Sequence, residues 1–358
     1  MTGFPTVVRP AAARVGLRSW SVVVLVLGVL LAGAALAVAG TDKKSDQYGE
    51  MGASPVPTVA PVNGPTSFRV SSFNILGWDH TAKGGSKHKA GYADGAQRMK
   101  WAIQLIKSHQ IDVVGLQEFQ PPQYAKWAKK AAGQYDIFPG FIESEGFLRN
   151  SIAWRKDKFR LVSTSWLKLP YFHGDVLRMP VVLLQSLQTG QQVYFINFQN
   201  PADVRGNAAK WRMIGQRHQI DLVNLLKTSN GLPIIWTGDM NARTQVFCRV
   251  TKQAAMVSAS GGYRSESTCQ PPKGMVVDWI FGSNVQFSNY VQERSRKVVR
   301  TTDHHLLVAD ALVQPVEPTI PVPTVTTTPT ETVTVNPTPT TSTPSATVTP
   351  PPFNDFTG

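Results

Sequence analysis

The sequence predicts an α/β fold, a sandwich of mixed β-sheets covered by helices, over residues 67–314. Three observations predict it. Strand-length apolar runs alternate with helix-period segments in the first half of that region. Strands follow one another in the second half, and polar residues recur where strands end.

The chain centres on Pro233-Ile234-Ile235-Trp236-Thr237-Gly238-Asp239-Met240-Asn241. This reads as a buried strand, residues 234–237, that ends on glycine and presents Asp239 and Asn241. Two residues apart, their side chains point the same way. An Asx turn closing a strand would use the same residue types.

Residues 67–74 alternate as a strand and end on Asn74. Residues 77–95, rich in Gly, Lys and His (His80, His88), read as a mobile loop. Its Lys83, Lys87 and Lys89 are candidate phosphate contacts or simply solvated. Met99, Ile103 and Ile106 mark a helix over 95–109. A short strand over 112–117 is followed by Glu118, and a helix over 121–132 has proline near its start. Residues 150–154 and 159–169 read as strands paired across the turn Arg155-Lys156-Asp157-Lys158. Residues 181–187 and 192–197 form a second hairpin across Thr189-Gly190. A long helix over 206–227 has Trp211, Ile214, His218, Leu222 and Leu225 on one face. Strands are expected at 275–281, 285–291 and 306–312. No internal repeat is visible.

The flanks read differently. Residues 1–19 are basic and expected to stay in the cytoplasm. Residues 20–40 carry no charge and follow Arg9, Arg14 and Arg18, so they form either an uncleaved transmembrane signal anchor or a signal peptide ending near Ala37-Val38-Ala39. Both readings place the rest at the cell surface or outside the cell. Residues 41–66 read as a linker. Residues 315–358, dominated by Pro, Thr and Val, have the composition of a disordered stalk open to O-glycosylation. The two cysteines, Cys248 and Cys269, pair in an oxidising compartment or otherwise stand as structural thiols. The chain's net charge is +13. Residues 67–315 carry 31 Lys and Arg against 17 Asp and Glu, a surplus that suits a polyanion or an anionic surface, or serves solubility.

Polar residues cluster at predicted strand ends: Asn74, Glu118 in Leu116-Gln117-Glu118, Asp239 and Asn241, Asp278 in Val277-Asp278-Trp279-Ile280-Phe281, and Asp303-His304 in Thr302-Asp303-His304-His305. An oxygen-rich set of this kind suits Mg²⁺, Mn²⁺ or Ca²⁺, and no Cys/His spacing for zinc occurs. In this order the motifs resemble those of the endonuclease/exonuclease/phosphatase family over about residues 67–313. The resemblance implies a four-layer α/β sandwich, two mixed sheets face to face with helices outside and a metal site at one end. It implies that Glu118 binds Mg²⁺ with Asn74 beside it and that Asp239 orients or deprotonates a water. Asn241 would hold the phosphate and Asp303 would lie at the metal and catalytic site. His304 would stabilise the transition state, oriented by Asp278. Asn74, Asn200 and Arg178 are candidate substrate contacts.

The chain departs from the family's pattern at one position. Many relatives carry a second catalytic histidine after the strand that here reads Tyr194-Phe195-Ile196-Asn197, and this chain has Gln199 where that histidine is expected. Glutamine neither gives nor takes a proton at neutral pH. The expected function is a monomeric, exported, metal-dependent phosphodiesterase, a nuclease on extracellular DNA or RNA. The alternatives are a phospholipid or sugar-phosphate phosphoesterase, for which an exposed aromatic hairpin at Tyr171-Phe172 would speak, and a surface binding protein that has lost turnover.

Overall fold

The computed structural model describes residues 62–84, 89–141 and 149–316. The basic N-terminus, the apolar run at 20–40, most of the 41–66 linker and nearly all of the tail lie outside the described residues.

The chain opens with β1 (Thr66–Asn74), α1 (Gly95–Ser108), β2 (Val113–Gln117), α2 (Pro121–Lys130), β3 (Tyr135–Phe138) and β4 (Ser151–Arg155). It continues through β5 (Phe159–Pro170), β6 (Val176–Ser186), β7 (Gln192–Gln199), α3 (Ala209–Asn230), β8 (Ile234–Asp239) and α4 (Thr244–Gln253). Two short strands, β9 (Val257–Ser258) and β10 (Tyr263–Arg264), lead to β11 (Cys269–Gln270), β12 (Asp278–Ser283), β13 (Gln286–Glu293), α5 (Arg296–Thr301) and β14 (Leu306–Val313). Helix boundaries follow local chemistry. The Asp94 carboxylate accepts from the Ala96 and Gln97 amides at the start of α1. Gln120 and Gln123 close a capping box ahead of α2, which begins on two prolines.

The strands form two six-stranded mixed sheets, ordered β13-β14-β1-β2-β4-β3 and β5-β6-β7-β8-β12-β9. Three apolar cores separate four layers. One lies between the first sheet and α1 and α2, with Met99, Ile106 and Trp127. A second fills the space between the sheets, with Phe68, Val70, Trp154, Phe195 and Ile235. The third lies under α3 and α4, with Val223, Trp236 and Phe247. This is the four-layer sandwich expected. Cys248 on α4 is bonded to Cys269 on β11.

Three expectations need correction. β4 and β5 are not a hairpin. β4 pairs with β2 and β3, while β5 pairs with β6 in the other sheet, so residues 156–158 carry the chain between sheets. A short polar connection looks alike in both cases, and only the partners differ. The buried stripe of α3 is Gln216, Gln219, Ile220 and Val223, whereas Leu225 is exposed. Amides occupy that stripe because they meet polar partners: Gln219 donates to Asn200 Oδ1 at 2.8 Å. Finally, Tyr171 and Phe172 form no exposed aromatic hairpin. Both are buried and pack edge to face, 4.6 Å between centroids. β3 had no counterpart in the sequence reading.

Candidate active site and metal centre

Topology brings the polar strand ends together. β1 and β2 are parallel and β14 is antiparallel to β1, so Asn74, Glu118 and His304 meet at one edge of the first sheet. β7 and β8 are parallel and β12 is antiparallel to β8, so Gln199, Asp239 and Asp278 stand side by side. Gly238 is required here, because a Cβ would lie 2.3 Å from the Phe198 carbonyl oxygen. Leu76, Glu118 and Asn241 all adopt left-handed backbone, at φ 57°, 58° and 46°. Such strain persists where surrounding structure imposes it, as at functional sites.

The site is densely hydrogen-bonded. Asn74 Nδ2 reaches Glu118 Oε1 at 3.0 Å, Asp239 Oδ2 at 3.1 Å and His304 Nε2 at 3.3 Å. Glu118 also accepts from the Gly77 amide at 2.8 Å and lies 3.3 Å from His80 Nε2. Asp239 accepts from the Asn241 amide at 3.0 Å and its side chain at 3.2 Å. His304 Nδ1 lies 2.9 Å from Asp278 Oδ2, which leaves Nε2 facing Asp239 at 3.9 Å. Lys89 pairs with Asp303.

The charges do not balance. Three carboxylates meet two imidazoles: Asp239 and Asp278 face His304, and Glu118 faces His80. Burial works to raise the Glu118 pKa, but hydrogen bonds from His80, Gly77 and Asn74 overcome it and hold that group ionised far below the usual range. Burial depresses His304, yet Asp278 and Asp239 outweigh it and keep the ring protonated well above its ordinary value. Asp239 is left with the unbalanced charge. Burial, with Asp278 and Glu118 nearby, raises it to about 7 despite His304.

That surplus of negative charge tests whether a divalent cation fits. Ligand atoms of Glu118, Asp239 and His304 lie within 4.8 Å of one another. Gln199 donates to Glu118 Oε1 at 3.3 Å, while its own Oε1 is buried with no partner. Oxygen donors of this kind, carrying excess charge, suit Mg²⁺ or Mn²⁺.

A cavity of about 950 Å³ opens on this cluster, and Glu118, Gln199, Asp239, Asn241, Asp303 and His304 all line it. Asn74 stands just behind, fully buried. Two of the expected substrate contacts fall elsewhere. Asn200 is turned under α3, its side chain occupied by Gln219 and Met240, and its carbonyl holds the Asn241 side chain at 2.8 Å. Arg178 is not among the lining residues. Tyr171 and Phe172 join the wall, as do three residues that no motif singled out, His80, Arg149 and Arg205. Arg205 lies over the Phe172 ring, 5.1 Å from its centroid. Arg98 of α1, with no exposed surface, donates to the Ile75 and Gly77 carbonyls at 3.0 and 2.9 Å and to Thr81 Oγ1 at 2.8 Å. It thereby holds the loop that carries Gly77 and His80. The signal available in the sequence was an arginine amid the apolar residues of α1.

Fold and cluster together are those of a two-sheet α/β sandwich with an acidic, hydrogen-bonded site at one end of its sheets. The chain belongs to the endonuclease/exonuclease/phosphatase family, whose model matches residues 72–304. Members of that family are hydrolytic phosphoesterases and generally depend on a divalent metal. Comparison with curated protein sequences gives no match. Among solved structures the chain is similar to the human nocturnin catalytic domain with bound sulfate, at 17% identity and TM-score 0.54, over 68% of this chain and 94% of that one. It is similar to a mannosyl-6-phosphatase of Bacteroides thetaiotaomicron at 20% identity and TM-score 0.51, over 68% and 99%. It is also similar to D. rerio TDP2 complexed with a single-strand DNA product, at 16% identity and TM-score 0.50, over 69% and 99%.

Proposed function

We propose that the chain is an exported, divalent-metal-dependent phosphodiesterase acting on nucleic acid. One observation carries the reading. The cavity joins the Glu118–Asp239–His304 cluster to a wall bearing Lys89, Arg149 and Arg205, which suits a phosphate flanked by further negative charge. In this reading Glu118 and Asp239, with Asn74 and Asp303 beside them, would hold the cation, which when bound would offset charge on the phosphoryl oxygens. Asp239 orients or deprotonates the attacking water, and Asn241, whose side chain bonds that carboxylate and the Asn200 carbonyl, turns one of those donors to a phosphoryl oxygen when substrate binds. Protonated His304, oriented by Asp278, places positive charge where the transition state gains negative charge. The DNA product bound to the similar TDP2 supports the substrate class. The protein would act as a monomer at the cell surface or outside the cell, held by residues 20–40 where these are uncleaved.

A phospholipid or sugar-phosphate substrate is the second reading. Val176 and Val204, 62% and 79% exposed, line the same cavity and offer apolar contact at its mouth. A binding role without turnover is favoured only by Gln199. The test is incubation of full-chain protein with plasmid DNA, RNA, phospholipid vesicles and sugar phosphates, each with Mg²⁺ or EDTA. Mg²⁺-dependent cleavage of nucleic acid is expected. Cleavage of lipid or sugar phosphate alone would overturn the substrate, and cleavage of none of them would overturn the enzyme reading.

A further inference from the structure

Directly behind the carboxylate cluster, a buried polar layer joins the two sheets. Asn197 of β7 donates to the Leu116 carbonyl at 2.8 Å and to the Ser151 carbonyl at 3.0 Å, both in the first sheet. Its Oδ1 accepts from Gln117 Nε2 at 2.6 Å and from Thr237 Oγ1 at 3.1 Å. Asn197 and Gln117 have no exposed surface, and Thr237 almost none. Gly115 makes room for the crossing, because a Cβ there would lie 2.6 Å from Asn197 Oδ1 and 2.0 Å from Thr237 Oγ1.

The layer stands in register with the site. Side chains two residues apart on a strand share a face, and Asn197 precedes Gln199 as Thr237 precedes Asp239. Gln117 adjoins Glu118, whose left-handed backbone turns its carboxylate toward the same edge. The cluster therefore straddles the gap between sheets, with Glu118 on the first and Asp239 on the second. Most other contacts in that gap are apolar, apart from the Thr66–Thr189 hydroxyl pair at the start of β1 and the Asn150 side chain on Met179 Sδ, and apolar burial has no preferred direction. Hydrogen bonds do, and those of Asn197 reach β2, β4 and β8.

We propose that Asn197 is a positioning residue that sets the separation of Glu118 from Asp239, and through it the affinity of the site for a divalent cation. The inference rests on the metal-site reading above. The test is calorimetric titration of EDTA-treated, dialysed full-chain protein with Mn²⁺, alongside thermal unfolding without metal. Asn197→Leu should weaken Mn²⁺ binding by about 10- to 100-fold, the range for residues that orient metal ligands. Thr237→Val, which removes one bond and keeps the shape, should weaken it by less. Val193→Ala, in the apolar part of the gap, should lower the unfolding temperature and leave affinity within about twofold. A folded Asn197→Leu protein with wild-type affinity would overturn the inference, as would an equal loss in Val193→Ala. If Asn197→Leu does not fold, Thr237→Val decides on the same criterion. Wild-type protein that binds no Mn²⁺ would overturn the metal reading and this inference with it, an outcome visible before any variant is compared.

Discussion

Gln199 poses the sharpest question at the scale of single residues. It stands on the strand end beside Asp239, gives Glu118 one hydrogen bond and leaves a buried acceptor unused. A histidine there would add a group able to donate a proton to the leaving oxygen, an effect typically worth 10²–10⁴ in rate. Gln199→His should therefore raise phosphodiester turnover by at least about tenfold, with a new pH dependence between about 5 and 8. Steady-state rates on one nucleic acid for both proteins measure this, and equal rates at every pH would show that glutamine suits the native substrate. Asp239 and His304 lead to a second prediction. The folded pKa of Asp239 is raised to about 7 and that of His304 lies well above its ordinary value, so the native state holds more protons than the unfolded one through neutral pH. Stability of metal-free protein should then fall as pH rises from about 5 to 8. Mg²⁺ should restore it, and Asp239→Asn should flatten the trend. A melting temperature in EDTA that rises over this window would contradict the charge assignment.

Among the elements, α1 does more than cover a sheet. Its Arg98 is the bolt of the loop after β1, with several carbonyls as acceptors. Burial lowers its pKa, partly offset by Glu118 and Asp303. Arg98→Met would strand those carbonyls and free the segment carrying Gly77 and His80. The expected cost is about 3 kcal/mol or more, measured by chemical denaturation, and metal affinity should fall with it. A variant of wild-type stability would mean the loop holds itself. The disulfide between α4 and β11 closes a loop of 21 residues in sequence separation. Loop entropy puts its contribution at about 3 kcal/mol, so the Cys248→Ser, Cys269→Ser double variant should unfold at markedly lower denaturant concentration.

For the molecule as a whole, basic charge is the property to test. Residues 67–315 carry the +14 surplus, and Lys89, Arg149 and Arg205 line the cavity beside the acidic cluster. If about three cations replace counterions on duplex DNA, the logarithm of affinity should fall with the logarithm of salt at a slope near −3. Filter binding or anisotropy in Ca²⁺ over a salt series measures that slope. A flat response would separate the charge from substrate binding and return it to solubility.

Local sequence determined the elements and the identity of the central groups. Period-two and period-3.6 patterns and capping residues depend on neighbours a few positions away, and they located most strands and helices. Asn74, Glu118, Asp239, Asn241 and Asp303-His304 stood out because each lies at or beside a strand end, where a polar residue has little local to pack against. Tertiary structure alone decided the partners. β4 and β5 look like a hairpin until pairing separates them into two sheets, since a three-residue connection carries no record of which strand lies opposite. Helical spacing placed Leu225 of α3 inward, but Gln219 faces inward because Asn200 waits there, nineteen residues back along the chain. Tyr171 and Phe172 seemed free to project, yet the cavity wall closes around them. Arg98, His80 and Asn197 acquired roles from contacts 17 to 81 residues distant, and spacing along a chain cannot encode such contacts.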